Sequence, residues 1–109
     1  MSGGSQPAIA GMSSRITTAT PATGAPIVLM RGEIDAGCAE ELRRILRHLG
    51  RQHRSVVLDA TDATCIDGAV LIVVVAASQR LPGGVWVRGA AGAVRRVFVL
   101  AGLEHMLLS

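Results

Sequence analysis

From Val56 to Leu71 the chain reads VVLDATDATCIDGAVL, and this stretch narrows the fold more than any other. Val56, Val57 and Leu58 make a buried strand. A short polar turn follows, then a brief apolar step at Cys65 and Ile66, then Asp67 and Gly68 ahead of a long apolar run. Asp67 stands where a helix N-cap belongs. Its carboxylate is placed to accept from the first free backbone N–H groups and favours the positive end of the helix dipole. A strand, a loop and a helix in that order form an α/β corner at the carboxyl edge of the strands, where ligands and partners dock.

The rest of the chain supplies the partners such a corner needs. Residues 1–14 are small and polar and read as a flexible N-terminal arm, leaving 15–109 as one domain. Residues 15–19 form a weak first strand with Ile16 its one large apolar residue. Residues 27–31 form a second strand between Pro26 and Gly32, closed by Glu33, Ile34 and Asp35, with Asp35 a second N-cap. Residues 36–49 are the clearest helix. Cys38, Leu42, Ile45, Leu46 and Leu49 recur on one face, while Glu40, Glu41, Arg43, Arg44, Arg47 and Arg51 take the other. Gly50 ends that helix. Residues 55–59 are the third strand.

Residues 69–81 are rich in β-branched side chains, and propensity alone says strand. The Asp67 cap, the length, and the need for a crossover before the next strand say helix. Leu71, Val74, Val75 and Ser78 then face the sheet, and Val70, Val73 and Ala77 face outward. Pro82-Gly83-Gly84 stops the helix, and Val85-Trp86-Val87 is a short fourth strand. Residues 93–101 are a last helix with Val94, Val97, Phe98 and Ala101 inward and Arg95, Arg96 and Val99 outward. Gly102 follows as its stop, and an apolar tail at 103–108 packs back. The order is β-β-α-β-α-β-α. If the last three strands are neighbours, right-handed crossovers put the first two helices on one face and the Asp35 and Asp67 corners on one edge.

Composition excludes several function classes. Every one of the 11 basic residues is Arg, and the formal charge is +3. Five of them lie between Arg43 and Arg54, but no aromatic platform accompanies them, so this is a solvated helix face and no nucleic acid partner is expected. The longest apolar run, Ala69 to Ala77, is far short of the ~20 residues a membrane span needs, and residues 1–14 hold no signal sequence. Two cysteines fit a reducing compartment, so a cytoplasmic protein is expected. His48, His53 and His105 have no metal spacing, and no nucleophile–base pair or phosphate loop is present. No enzyme, metal or cofactor is expected.

Three segments resemble one family. Gly32-Glu33-Ile34-Asp35 is similar to its G-E-[LI]-D. Val56-Val57-Leu58-Asp59 through Thr61, Thr64, Ile66 and Asp67 resembles V-V-L-D-L-S-x-V-x-F-[IM]-D. Ala93-Val94-Arg95-Arg96-Val97, followed by Ala101-Gly102-Leu103, resembles A-V-R-R-V…T-G-L. The family is the STAS domain of sulphate transporters and bacterial anti-sigma factor antagonists (anti-anti-sigma factors), matched in order and spacing from about Ile27 to Leu107. The resemblance implies an α/β, STAS-like fold with a mixed four-stranded sheet. For the stand-alone bacterial members it implies partner switching in transcription regulation: the antagonist binds an anti-sigma factor, often an ATP-binding serine kinase. That kinase phosphorylates a serine directly after the conserved aspartate, and the added charge breaks the complex.

The chain departs at that position. Where the family reads D-S-[ST]-G, this sequence reads Asp67-Gly68-Ala69-Val70. Gly68 has no hydroxyl, so no phosphorylation is expected there. Thr61 and Thr64 precede the corner and do not take over the role. Val70 and Ile72 stand where the family often carries glycine. The docking surface expected from this reading is Asp67, Gly68, Ala69 and Val70, with Glu33 and Asp35 on the neighbouring corner. The alternative is a structural or sensory STAS subunit that assembles with other STAS proteins, or as a homo-oligomer, through its apolar second helix. Cys38 and Cys65 flank the edge; they read as small core fillers, or as a redox pair in place of the lost hydroxyl.

Overall fold

The computed structural model describes residues 15–108; the expected arm, residues 1–14, lies outside them. The elements are β1 (Ile16–Ala19), β2 (Ile27–Ile34), a 3-10 turn (Ala36–Cys38), α1 (Ala39–Gly50), β3 (Ser55–Ile66), α2 (Gly68–Arg80), β4 (Gly84–Arg88), α3 (Gly92–Leu100) and a 3-10 turn (Glu104–Met106). The sheet runs β1-β2-β3-β4, with β1 antiparallel to β2 and the other pairs parallel. This is the mixed four-stranded α/β sheet expected. Both parallel crossovers step the same way across the sheet, so α1 and α2 lie on one face and pack on each other.

Alternation decides which strand residues enter the core. Ile16, Val28, Met30, Val56, Leu58, Val85 and Val87 are buried beneath the helices, joined by Leu42 and Leu46 of α1, Val70 and Val74 of α2, and Val94 and Phe98 of α3. Thr17, Leu29, Val57 and Trp86, on the other face, are half-buried or exposed. The tail packs back as expected: Met106 is buried, and the Leu108 N–H donates to the Val87 carbonyl at 2.7 Å.

Several sequence expectations change. β3 does not end at Asp59; it runs on through the polar residues to Ile66. Its register against β2 slips twice, between Leu29 and Arg31 and between Gly32 and Glu33, each time with one extra residue on β3. These are bulges, and the first has a local cause: the Thr61 N–H donates to Asp59 Oδ1 at 2.9 Å and leaves the ladder. The polar residues read as a turn because β4 pairs only as far as Asp59, leaving the rest of β3 with one strand neighbour and the side chains of Thr61, Asp62, Thr64 and Cys65 exposed. β2 likewise continues past Arg31 to Ile34.

The outward stripe of α2 is also corrected. Val70, Val73 and Ala77 are buried, while Ile72, Ala76 and Gln79 face out and Val75 and Ser78 are half-buried. A helix apolar on every side is buried on most of them; here the sheet takes one side and α1 the next. The self-assembly alternative therefore loses the stripe on which it was drawn. Glu41 is buried, not on the solvent face, and Ala101 is exposed, not inward.

Candidate functional site

Asp67 caps α2 as its position predicts. Its backbone is extended, and Oδ1 accepts from the Ala69 N–H at 2.9 Å. Its carbonyl accepts from Val70 and Leu71 at 3.0 and 3.2 Å, so the first turn is tied entirely to this residue. Asp67→Ala removes the side-chain acceptor and is expected to cost about 1 kcal/mol, lowering Tm by roughly 4–8 °C. Asp67→Asn keeps the acceptor and should recover most of the loss in a thermal melt.

The two corners form one edge. Ile34 pairs with Ile66 in register, and the Asp67 N–H donates to the Ile34 carbonyl at 3.0 Å. Glu33, Asp35, Asp67 and Gly68 are exposed there, and Ala69 is half-buried. Val70, proposed from sequence as a sixth residue of this surface, is fully buried and is withdrawn from it: one residue beyond Ala69 the helix turns its side chain into the core.

Asp35 also caps as expected, though it opens the 3-10 turn that leads into α1. Its Oδ1 accepts from the Gly37 N–H at 3.1 Å and from the Cys38 thiol at 3.6 Å. Sequence reading missed the residue that holds this corner. Arg15 Nη1, just before β1, donates to the Glu33 carbonyl at 3.2 Å, to Asp35 Oδ2 at 3.2 Å and to Cys38 Sγ at 3.8 Å. The antiparallel β1–β2 pair brings Arg15 to that end of β2, a placement visible only once the register is known.

Asp59 sits behind the edge on β3. Its Oδ2 accepts from Arg88 Nε at 3.0 Å. Withdrawal from water pushes the Asp59 carboxyl up, but the hydrogen bonds from Thr61 and the Arg88 guanidinium outweigh this and hold it below the usual range. Asp35 shows the same balance: desolvation raises it, and Arg15, Cys38 and the Gly37 amide together bring it lower. With depressed folded values, the stability these groups contribute is complete above the unfolded-chain value of about 3.9 and is lost as pH falls through the folded values. Urea midpoints should therefore drop on acidification below about pH 4, and Asp59→Asn should flatten part of that drop. An unchanged acid slope in the variant places the sensitivity elsewhere.

The cysteines are both free. Cys38 is a core filler; Cys65 is not, being exposed beside the buried Ile66 and so directed to the opposite side of the strand. Among the described residues, no three or more His, Cys, Asp or Glu side chains gather as a metal-ligand set, and no helix is long and apolar enough to cross a membrane.

Beyond Gly68 lies an apolar groove of ≈ 600 Å³ between α2 and the end of α3. Its α2 wall carries no charged residue.

Comparison with known proteins places this geometry. A family model described as "Mlab, STAS domain" matches residues 18–109. The anti-sigma factor antagonist SpoIIAA in its unphosphorylated form superposes with a TM-score of 0.77 at 16% identity, over 85% of each chain. The phosphorylated form of SpoIIAA, a Bacillus cell fate determinant, gives 0.70 at 15% identity, over 85% of this chain and 88% of that one. An anti-sigma factor antagonist from Mycobacterium paratuberculosis gives 0.72 at 25% identity, over 84% and 82%. No curated protein sequence matches the chain significantly.

Proposed function

The chain belongs to the STAS domain family, and from that premise we propose that it is an anti-sigma factor antagonist whose docking corner is not switched by phosphate. The observation that carries this reading is the exposed Asp67–Gly68 corner, bonded to the Ile34 carbonyl beside Glu33 and Asp35 at the carboxyl edge of parallel strands. The likeness to anti-sigma factor antagonists supports the general role. The partner is an anti-sigma factor, of the ATP-binding serine kinase type. Gly68 gives that kinase no hydroxyl, so the complex is constitutive, or is regulated by means other than phosphate at this corner. The protein acts as a binding module, not as an enzyme.

The test mixes the recombinant chain with a recombinant anti-sigma factor of this kinase type, in ADP and then in ATP, and follows the complex by size-exclusion chromatography. A complex that survives ATP, with no phosphate on the chain by mass spectrometry, is the expected result. No complex in either nucleotide overturns the assignment of partner, and a complex that ATP dissolves with phosphate on this chain overturns the constitutive part.

A further inference from the structure

We propose that the open face of the sheet carries a binding site for a small zwitterion, a free α-amino acid, in a pocket with Arg31 on one wall and Asp62 on the other. The site stands independently of the partner reading above. Strand register builds it, on the face away from the helices. The Arg31 N–H donates to the Arg15 carbonyl at 2.8 Å, and Arg31 is the cross-strand partner of Asp62, so Arg15, Arg31 and Asp62 form one row across the sheet. The next row holds Thr17, Leu29 and Asp59 in register. A pocket of ≈ 190 Å³ lies between the two rows and is lined by all six residues.

Its charges are sorted by wall. The β1–β2 side supplies two guanidinium groups, and β3 supplies two carboxylates. Arg15 and Asp59 are already engaged, with Asp35 and with Arg88. Arg31 and Asp62 are not. Among the described residues neither has an ion-pair partner, although they are opposite each other in register. The bulge beside them accounts for this. β3 carries one extra residue between the partners of Leu29 and Arg31, which bends the strand and turns Asp62 away from direct pairing.

That arrangement selects a ligand by charge. Arg31 offers five N–H donors and no acceptor, and an ionised Asp62 only accepts. A molecule with a carboxylate and an ammonium on one carbon satisfies both walls, and the half-buried Leu29 gives an apolar floor for a small side chain. Phosphates and nucleotides are disfavoured, because Asp59 and Asp62 repel them. The volume is below the roughly 300–1,000 Å³ of sites for drug-sized molecules, so the occupant is small.

The experiment titrates the isotope-labelled chain with L-alanine and follows backbone amide shifts by NMR. The Leu29, Arg31 and Asp62 amides should shift saturably, with Kd on the order of 1 mM. L-alaninamide, which lacks the carboxylate, and N-acetyl-L-alanine, which lacks the ammonium, should each bind about tenfold or more weakly. Arg31→Gln and Asp62→Asn should melt with the wild type, since both side chains are exposed. Each should weaken L-alanine binding about tenfold, while Arg96→Gln, on the exposed side of α3, should bind as the wild type. The absence of a saturable shift with L-alanine overturns the proposal, as does undiminished binding by Arg31→Gln or Asp62→Asn. N-acetyl-L-alanine binding as well as L-alanine reduces the pocket to an anion site, and L-alaninamide doing so reduces it to a cation site; either result also overturns it.

Discussion

Gly68→Ser is expected to convert the chain into a stoichiometric phosphoacceptor for an anti-sigma kinase, while the wild type under the same conditions gains no phosphate. The position accepts the change. Gly68 is not among the glycines with positive φ, and a Cβ built on it meets nothing within 4 Å. It is the first residue of α2, exposed, and next to the Asp67 cap. Serine there should alter stability by less than about 1 kcal/mol, since the loss of backbone freedom in the unfolded chain and the new side chain's small cost nearly offset.

Phosphate added at that hydroxyl brings about −1.5 to −2 charges to the N-terminus of a helix. Within the isolated chain the positive end of the helix dipole tolerates it. Against a docked partner it is a buried like charge beside Asp67, and affinity should fall on the order of a hundredfold. The measurement is intact mass with and without ATP, followed by binding of the purified phosphoform. A Gly68→Ser chain left unmodified by a kinase that modifies a serine-bearing relative shows that the corner is not what the kinase reads. Phosphate on the wild type within the corner would be equally damaging.

Phe98→Ala should produce the largest loss of stability of any single truncation. Phe98 is the only phenylalanine and is fully buried. It anchors α3 over the central strand β3, and its carbonyl accepts from Leu103 at 2.8 Å to close the helix. Truncating a buried Phe costs about 3–5 kcal/mol against a total of about 5–15 kcal/mol for a domain of this kind. At roughly 4–8 °C per kcal/mol, Tm should fall by about 15 °C or more. Val99→Ala, one residue on and 40% exposed, should change Tm far less. A Phe98→Ala loss below about 1 kcal/mol would mean that the core does not converge on this ring.

Much of the architecture was legible in the chain because its signals are local. A capping carboxylate binds an amide two residues on, so Asp35 and Asp67 announce their turns wherever the chain later places them. The strand and helix periods are also local, and they yield the element order and, with the crossover rule, the shared edge of the two corners. The candidate site was legible for the same reason at Glu33, Asp35, Asp67 and Gly68. It was overextended at Val70, because on an all-apolar helix no pattern distinguishes the face that meets a neighbour from the face that meets water.

Sequence alone therefore determined the order of the elements, the capping roles of Asp35 and Asp67, and that no hydroxyl follows Asp67. Tertiary structure decided the rest. The polar segment 61–65 became strand because β2 supplied a ladder for it. Val70 and Val73 were buried because the sheet and α1 pack on α2, and Ile72 was left exposed because no element among the described residues covers it. Arg15 reached Asp35 because antiparallel pairing folds β1 back onto β2. Each of these depends on a partner distant along the chain, and a contact of that kind leaves no period or motif in the residues that make it.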